Sequence, residues 1–147
     1  MKLAIVVSRF NNIITDGLLK GAIEQARELG VPEKNVSTYY APGAFEMPLI
    51  AQTLAKTRIY DGVVCLGAVI KGDTAHFEFI SLGATMGIMQ SMLYTETPIT
   101  FGILTTYDSG QAINRSSDDA HNKGREALKA CAETINLIAD ITDYKRM

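Results

Sequence analysis

The sequence of 147 residues has no tryptophan, only two cysteines and only two histidines. Cys65 lies in the apolar run 63–66 and Cys131 lies between two alanines, so both are predicted to be small buried side chains. Two such cysteines cannot form a disulfide framework, and the chain has none of the Cys and His spacings that are typical of metal sites. The sequence therefore predicts no metal centre.

The chain also lacks an excess of positive charge and any long apolar run. Fourteen Lys and Arg residues stand against sixteen Asp and Glu residues, which gives a net charge of −2. Without a basic surface to hold a phosphate backbone, nucleic acid is not an expected partner. No apolar run approaches the ~20 residues that span a bilayer, and the first residues do not form a signal peptide. We expect a cytoplasmic protein that does not enter a membrane.

Length and composition indicate one domain over residues 1–147. Hydrophobic residues make up 47% of the chain and charged residues 20%, which is ordinary for a folded globular protein and excludes a disordered one. At this size, folding buries roughly 68–70% of the unfolded surface, so a core can form without disulfides.

Apolar strand-like runs alternate with helical patterns along the whole chain. The predicted strands cover residues 3–7, 36–40, 62–67 and 99–104. Between and after them, apolar residues at helical spacing predict helices around 14–26, 49–54, 82–93, 111–115 and 127–138. This alternation predicts an α/β fold in which helices cover both faces of a four-stranded parallel sheet.

In open parallel sheets, ligands bind beyond the carboxyl ends of the strands. Phe10 follows the first strand, and its ring suits either stacking on a flat heterocycle or packing under a neighbouring loop. Glu46 follows the second strand, where it can accept hydrogen bonds from a ligand or complement a helix dipole. These positions are the first candidates for a binding site.

The segment after the third strand carries a second set of candidates. Gly72, Asp73 and Thr74 precede a helix, so free N–H groups and a hydroxyl there suit a phosphate, and Asp73 can contribute only its backbone N–H. An ordinary turn is the alternative. His76 follows directly, and its side chain can transfer protons in either direction near neutral pH. A surface or core histidine with no catalytic role is the alternative.

Five segments occur together in an order that resembles one enzyme family. They are 9–11 (RFN), 42–48 (PGAFEMP), 67–78 (GAVIKGDTAHFE), 98–102 (PITFG) and 122–124 (NKG). In these segments, and over nearly the whole chain, the sequence is similar to the 6,7-dimethyl-8-ribityllumazine synthases of riboflavin biosynthesis.

The resemblance implies a flavodoxin-like three-layer sandwich and a condensation that needs neither cofactor nor metal. The two small-molecule substrates would be 5-amino-6-(D-ribitylamino)uracil and 3,4-dihydroxy-2-butanone 4-phosphate. His76 would relay protons. The residues implied for the pyrimidine and its ribityl chain are Phe10, Ala44, Phe45, Glu46, Ala68, Val69, Ile70 and Phe101. Those implied for the phosphate are Asp73, Thr74 and Arg115, and Asn11 and Lys123 are further candidates.

The resemblance also implies a homo-oligomer, a ring of five, in which Phe101, Arg115 and Lys123 complete a site on a neighbouring subunit. Two departures from the family bear on assembly. The chain starts at its first core strand, whereas many relatives have an N-terminal segment that pairs with a neighbour. The turn 116–121 lacks the glycines of relatives that build sixty-subunit shells. We therefore expect a free pentamer.

A non-catalytic module that binds flavin or lumazine on the same scaffold is the main alternative to an enzyme. Such a module would keep Phe10 and the segment 42–46 but has no need of a proton relay or a phosphate site. Because His76, Thr74 and Arg115 are all present, the sequence favours the enzyme.

Overall fold

The structure is a computed structural model that describes residues 1–144. Its strands are β1 (Leu3–Ser8), β2 (Val36–Ala41), β3 (Gly62–Ile70) and β4 (Ile99–Thr106). Its α-helices are α1 (Asn12–Glu28), α2 (Met47–Lys56), α3 (His76–Thr95), α4 (Ser109–Ser116) and α5 (Lys123–Tyr144). Short 3-10 turns at Glu33–Asn35 and Ala44–Glu46 precede β2 and α2. The predicted order of strands and helices is confirmed.

The four strands form one sheet in the order β2-β1-β3-β4, with all neighbours parallel. The chain moves outward from β1 to β2 and then crosses back to β3 on the other side. This reversal beside β1 creates a crevice between the loops that follow β1 and β3, which is where such sheets bind ligands.

Apolar side chains cover both faces of the sheet, and this makes three layers. On one face, Leu3, Ile5 and Val7 pack with residues of α1 and α5. On the other face, Ala4 and Val6 pack with residues of α2 and α3. Continuous apolar strands are what a parallel sheet with both faces buried requires.

All four strands extend further than their sequence pattern predicted, β1 and β2 by one residue and the other two by more. β3 runs to Ile70 rather than to Gly67, and β4 runs to Thr106 rather than to Leu104. The last three residues of β3 still pair with β4, from Ala68 opposite Leu104 to Ile70 opposite Thr106. The segment 68–70 is therefore strand, and not the loop after a strand.

Two observations concern membranes and metals. Within residues 1–144, no helix is both long and apolar enough to cross a bilayer. In the same part of the chain, no three His, Cys, Asp or Glu side chains are placed to hold a metal ion.

Candidate active site

A cavity of about 540 Å³ opens at the carboxyl edge of the sheet, beside the crossing from β1 to β3. Its walls come from the ends of β1, β2 and β3 and from the first turns of α3. Nine of the residues implied by the resemblance line it: Phe10, Ala44, Phe45, Glu46, Ala68, Val69, Ile70, Thr74 and His76. The structure thus brings most of the expected site together within one chain.

Phe10 stands at the mouth of the cavity with 70% of its surface exposed. Its backbone is fixed although its ring is not packed, because its N–H donates to Ser8 Oγ at 3.2 Å. The preceding residue, Arg9, donates its N–H to the carbonyl of Ala41 at 2.8 Å. An aromatic ring held by its backbone and open on its surface is suited to stacking on a flat ligand.

The segment between β2 and α2 supplies a second aromatic ring and a carboxylate. Phe45 is 60% exposed, and one edge of its ring lies against Gly83 of α3, where a Cβ atom would come within 3.1 Å of it. The Glu46 carboxylate lies over Gly43, 3.2 Å from where a Cβ on that residue would be. Both glycines therefore leave room for the neighbouring side chain.

The end of β3 forms the floor of the cavity. Ala68, Val69 and Ile70 lie beyond Leu66, the last residue of β3 that pairs with β1. Their backbone on the β1 side thus meets a loop rather than a strand. Asn11, in that loop, donates its side-chain amide to the carbonyl of Ala68 at 2.9 Å.

The turn between β3 and α3 places Thr74 and His76 on the cavity wall. The hydroxyl of Thr74 accepts the backbone N–H of His76 at 3.3 Å, which leaves its own proton free to donate. Asp73 is in the same exposed turn but is not among the described residues that line the cavity. The Lys71 ammonium lies 3.7 Å from the Glu78 carboxylate and 5.7 Å from the centre of the Tyr107 ring.

Three of the expected site residues are elsewhere in the chain. Phe101, Arg115 and Lys123 line a second cavity of about 450 Å³ along the outer edge of β4, between α4 and α5. Within residues 1–144, the two cavities have no lining residue in common. Arg115 donates to the carbonyl of Gln111 at 3.0 Å, and Lys123 pairs with Glu126 at 2.7 Å. One chain therefore separates the expected site into two parts.

Some lining residues were missed by the sequence analysis. Phe77 and Ile80 close the cavity from the first turns of α3. Their spacing from His76 along a helix could have indicated this, had the apolar pattern of that helix been followed back from residue 82 to its first turn.

The two cysteines take no part in either cavity. Burial raises the pKa of the Cys65 thiol to about 12, and burial likewise raises the pKa of Cys131 to about 12. Both thiols stay protonated at neutral pH, so neither provides a nucleophile. The prediction that they are buried apolar side chains is confirmed.

Comparison with known proteins agrees with this geometry. The model of the family described as 6,7-dimethyl-8-ribityllumazine synthase matches residues 1–139. The chain is 58% identical over 142 residues to 6,7-dimethyl-8-ribityllumazine synthase 1 of Caulobacter vibrioides. These residues make up 97% of this chain and 93% of that protein. The chain is 47% identical over 141 residues to the 6,7-dimethyl-8-ribityllumazine synthase of Deinococcus deserti, which covers 96% and 90%. The chain belongs to the 6,7-dimethyl-8-ribityllumazine synthase family.

Proposed function

We propose that the cavity beside β1 and β3 is where this chain carries out the lumazine synthase reaction of its family. The observation that carries the proposal is that one cavity holds two open aromatic rings, a carboxylate, a histidine and a hydroxyl-bearing turn at a helix start. The reaction joins 5-amino-6-(D-ribitylamino)uracil to 3,4-dihydroxy-2-butanone 4-phosphate and releases phosphate and water. It is the penultimate step of riboflavin biosynthesis.

The pyrimidine would lie on the ring of Phe10. Its polar edge would meet the backbone of residues 68–70, which extends beyond β1. The ribityl chain would run along residues 44–46, where the Glu46 carboxylate can accept from its hydroxyls. The support for this placement is that all these groups line one cavity and that the Phe10 ring is open to a ligand.

The phosphate of the second substrate would bind at the start of α3. There the Thr74 hydroxyl, the backbone N–H of Asp73 and the free N–H groups of the first helical turn can all donate to an anion. Arg115 would add a planar and permanently charged partner. Because Arg115 lines the other cavity, this part of the proposal needs a second subunit.

His76 would move the protons of the reaction. The amino group on the pyrimidine attacks the ketone and water leaves to form an imine, phosphate is then eliminated, and the ribitylamino nitrogen closes the ring with loss of a second water, so that each step takes up or releases a proton. A histidine between the phosphate turn and the aromatic rings can serve both directions. Holding two substrates in register lowers a barrier by up to ~7–11 kcal/mol, and neither a cofactor nor a metal enters the proposal.

The proposal includes a homo-oligomer in which Phe101, Arg115 and Lys123 of one subunit complete the cavity of the next. It also includes the domain as one unit over residues 1–147 and a cytoplasmic location, which rests on the family. The separation of the two cavities within a single chain supports the sharing of sites.

The direct test is to mix the purified protein with both substrates and follow lumazine absorbance, lumazine fluorescence and phosphate release. We expect all three to rise together and in proportion to protein, well above the reaction in buffer. The matched control replaces the butanone phosphate with dihydroxybutanone, which lacks the leaving group. Binding of lumazine without turnover would contradict the proposal and favour a non-catalytic module.

A further inference from the structure

Asn11 has a backbone conformation that is unusual for a residue with a side chain. It precedes the first turn of α1 with φ 58° and ψ 47°, in the left-handed region. Asparagine tolerates this region better than most residues, although glycine adopts it most readily. A left-handed residue directly after Phe10 sets the direction in which the chain enters α1.

The Asn11 side chain does not cap the helix that follows it. Such a residue usually accepts a backbone N–H of the first helical turn, but within the described chain Asn11 makes no such bond. Its amide instead reaches across to β3 and donates to the Ala68 carbonyl at 2.9 Å, in a half-buried contact between residues 57 positions apart.

The Ala68 carbonyl has no partner in β1 that could donate a hydrogen bond to it. β1 pairs with β3 only as far as Val7 opposite Leu66, so the ladder has ended before Ala68. A strand carbonyl without a ladder partner must find another donor if it is to be satisfied away from water. The Asn11 amide donates the hydrogen bond that a continued β1 strand would have supplied.

With this bond, the loop around Phe10 is tied to three strands. Arg9 donates to Ala41 of β2, Phe10 donates to Ser8 of β1, and Asn11 donates to Ala68 of β3. The Phe10 ring makes so little contact that packing cannot orient it. The direction of its Cα–Cβ bond, from which the ring projects, is therefore set by the backbone on either side.

We infer that Asn11 is a positioning residue for the pyrimidine half of the site. Its left-handed backbone and its amide together aim Phe10 over the cavity and hold the Ala68 carbonyl in place. It acts through these two groups and does not bind substrate, since it is not among the described residues that line the cavity. The inference rests on the proposed function, because it takes Phe10 and Ala68 to be the pyrimidine contacts.

Three substitutions separate the amide from the backbone conformation. Asn11→Gly keeps the left-handed conformation and loses the amide. Asn11→Asp keeps the size and replaces the donor with a carboxylate that repels the Ala68 carbonyl. Asn11→Ala loses both the amide and the ease of positive φ. Asn12→Asp, at the exposed neighbouring position, makes the same change of charge and is the matched control.

We expect Asn11→Gly and Asn11→Asp to raise the KM for the pyrimidine roughly five- to tenfold, which corresponds to the loss of one hydrogen bond. The KM for the butanone phosphate should change less than twofold, because the proposed function assigns Phe10 and Ala68 to the pyrimidine and not to the phosphate. Asn11→Ala should show the largest effect, and Asn12→Asp should behave as the unmodified protein does. Equal rises in both KM values, or normal kinetics in Asn11→Gly and Asn11→Asp, would overturn the inference.

A measurement without substrate keeps this test separate from the proposed function. Hydrogen–deuterium exchange of the backbone of residues 8–15 should be faster in Asn11→Gly and Asn11→Asp than in Asn12→Asp, because one tie of the loop is lost. Failure of the unmodified protein to make lumazine would overturn the proposed function alone. Unchanged exchange in both Asn11 variants would show that the hydrogen bond from Asn11 to Ala68 does not hold the loop, whatever the activity.

Discussion

At the scale of single residues, the two histidines of the chain form a matched pair for testing proton transfer. His76 lines the main cavity, whereas His121 lies exposed in the turn between α4 and α5. We predict that His76→Ala lowers kcat roughly 10²–10⁴-fold, the range for loss of a general acid–base. The loss should fall at the low end, because part of the reaction proceeds readily without an enzyme. Binding of the pyrimidine should be nearly intact.

The measurement is steady-state lumazine formation by both histidine variants at equal concentration. His121→Ala should retain full activity, which shows that removal of an imidazole as such is harmless. A loss of less than threefold in His76→Ala would remove this residue from the mechanism.

Arg115 tests the phosphate part of the site. Arg115→Ala should raise the KM for the butanone phosphate roughly ten- to a hundredfold and leave the KM for the pyrimidine nearly unchanged, because a charge-assisted hydrogen bond is lost. Arg115→Lys should recover part of the effect, since lysine keeps the charge without the planar fork. Kinetics with each substrate varied in turn separate the two constants.

The control for Arg115 is Arg27→Ala, which removes an exposed arginine from the last turn of α1. That helix ends at the amino edge of the sheet, opposite the cavity, so its loss of charge should not affect either KM. An equal rise of both constants in Arg115→Ala would indicate a structural role for Arg115 instead.

At the scale of secondary structure, the alternation of apolar strands and amphipathic helices is enough to predict every strand and α-helix of residues 1–144 and the parallel sheet. The strand ends were not predictable in the same way. The apolar pattern predicts that β3 ends at Gly67, yet a Cβ there would only reach ordinary contact with Met47 and Ile103, so this glycine interrupts nothing. β3 continues to Ile70 because β4 is there to pair with it.

The candidate site likewise contains residues whose placement was predictable from the sequence and residues whose placement was not. Residues close in sequence, such as Thr74 and His76, could be placed beside each other from their spacing and from the helix that follows. The tie from Asn11 to Ala68 could not, because it joins positions 57 apart and depends on where β1 stops. Asn122 is a similar case, since no pattern in the residues around it predicts a buried amide there.

Asn122 connects three elements and gives a prediction about stability. It is 1% exposed, and its amide donates to the carbonyls of Gly17, Ser116 and Ser117 at 2.9–3.1 Å. Its side-chain oxygen accepts the backbone N–H groups of Gly124 and Arg125 and so caps α5. Asn122→Ala should cost about 2–4 kcal/mol, since a cap is lost and buried carbonyls are left without donors.

The measurement is the thermal midpoint at a fixed protein concentration, which should fall by roughly 5–12 °C for a chain of this length. Asn114→Ala removes an exposed amide from α4 and should change the midpoint little. A shift in Asn122→Ala no larger than that of the control would mean that water replaces the amide without cost.

At the scale of the whole molecule, the single chain leaves two features exposed. The first is the division of the expected site between two separate cavities. The second is an apolar stripe on α3, whose exposed side chains at helical spacing are Phe79, Leu82, Met86, Met89 and Leu93. Met92 is not part of this stripe, because it packs inward against the core between α2 and α3. A stripe of this length on a helix favours burial against another surface.

If subunits share sites, two variants that are each impaired when the butanone phosphate is scarce should restore activity when they are combined and assayed at the same low concentration. His76→Ala and Arg115→Ala each damage a different half of the proposed site. An intact site needs His76 from one chain and Arg115 from its neighbour. With equal amounts of both variants and random mixing at one repeated interface, about a quarter of the sites would meet both conditions. Co-expression of the two variants, followed by the lumazine assay, should recover that fraction of full activity. Activity no higher than the average of the separate variants would place both residues in one subunit's site.

The size of the assembly is the last prediction, and it depends on the turn between α4 and α5. Closing rings into a shell would bring copies of this turn close together, and its sequence has no glycine to let it tighten. Its shape is also set from within the chain, since Asp118 pairs with Lys20 of α1 at 2.8 Å and Asp119 accepts the His121 N–H at 2.8 Å. Lys20 offsets the charge of Asp118 only in part at an exposed position, and like charges brought into contact oppose closure. We therefore predict a free pentamer, and light scattering at neutral pH should give a mass near five chains, whereas a particle near sixty chains would contradict the prediction.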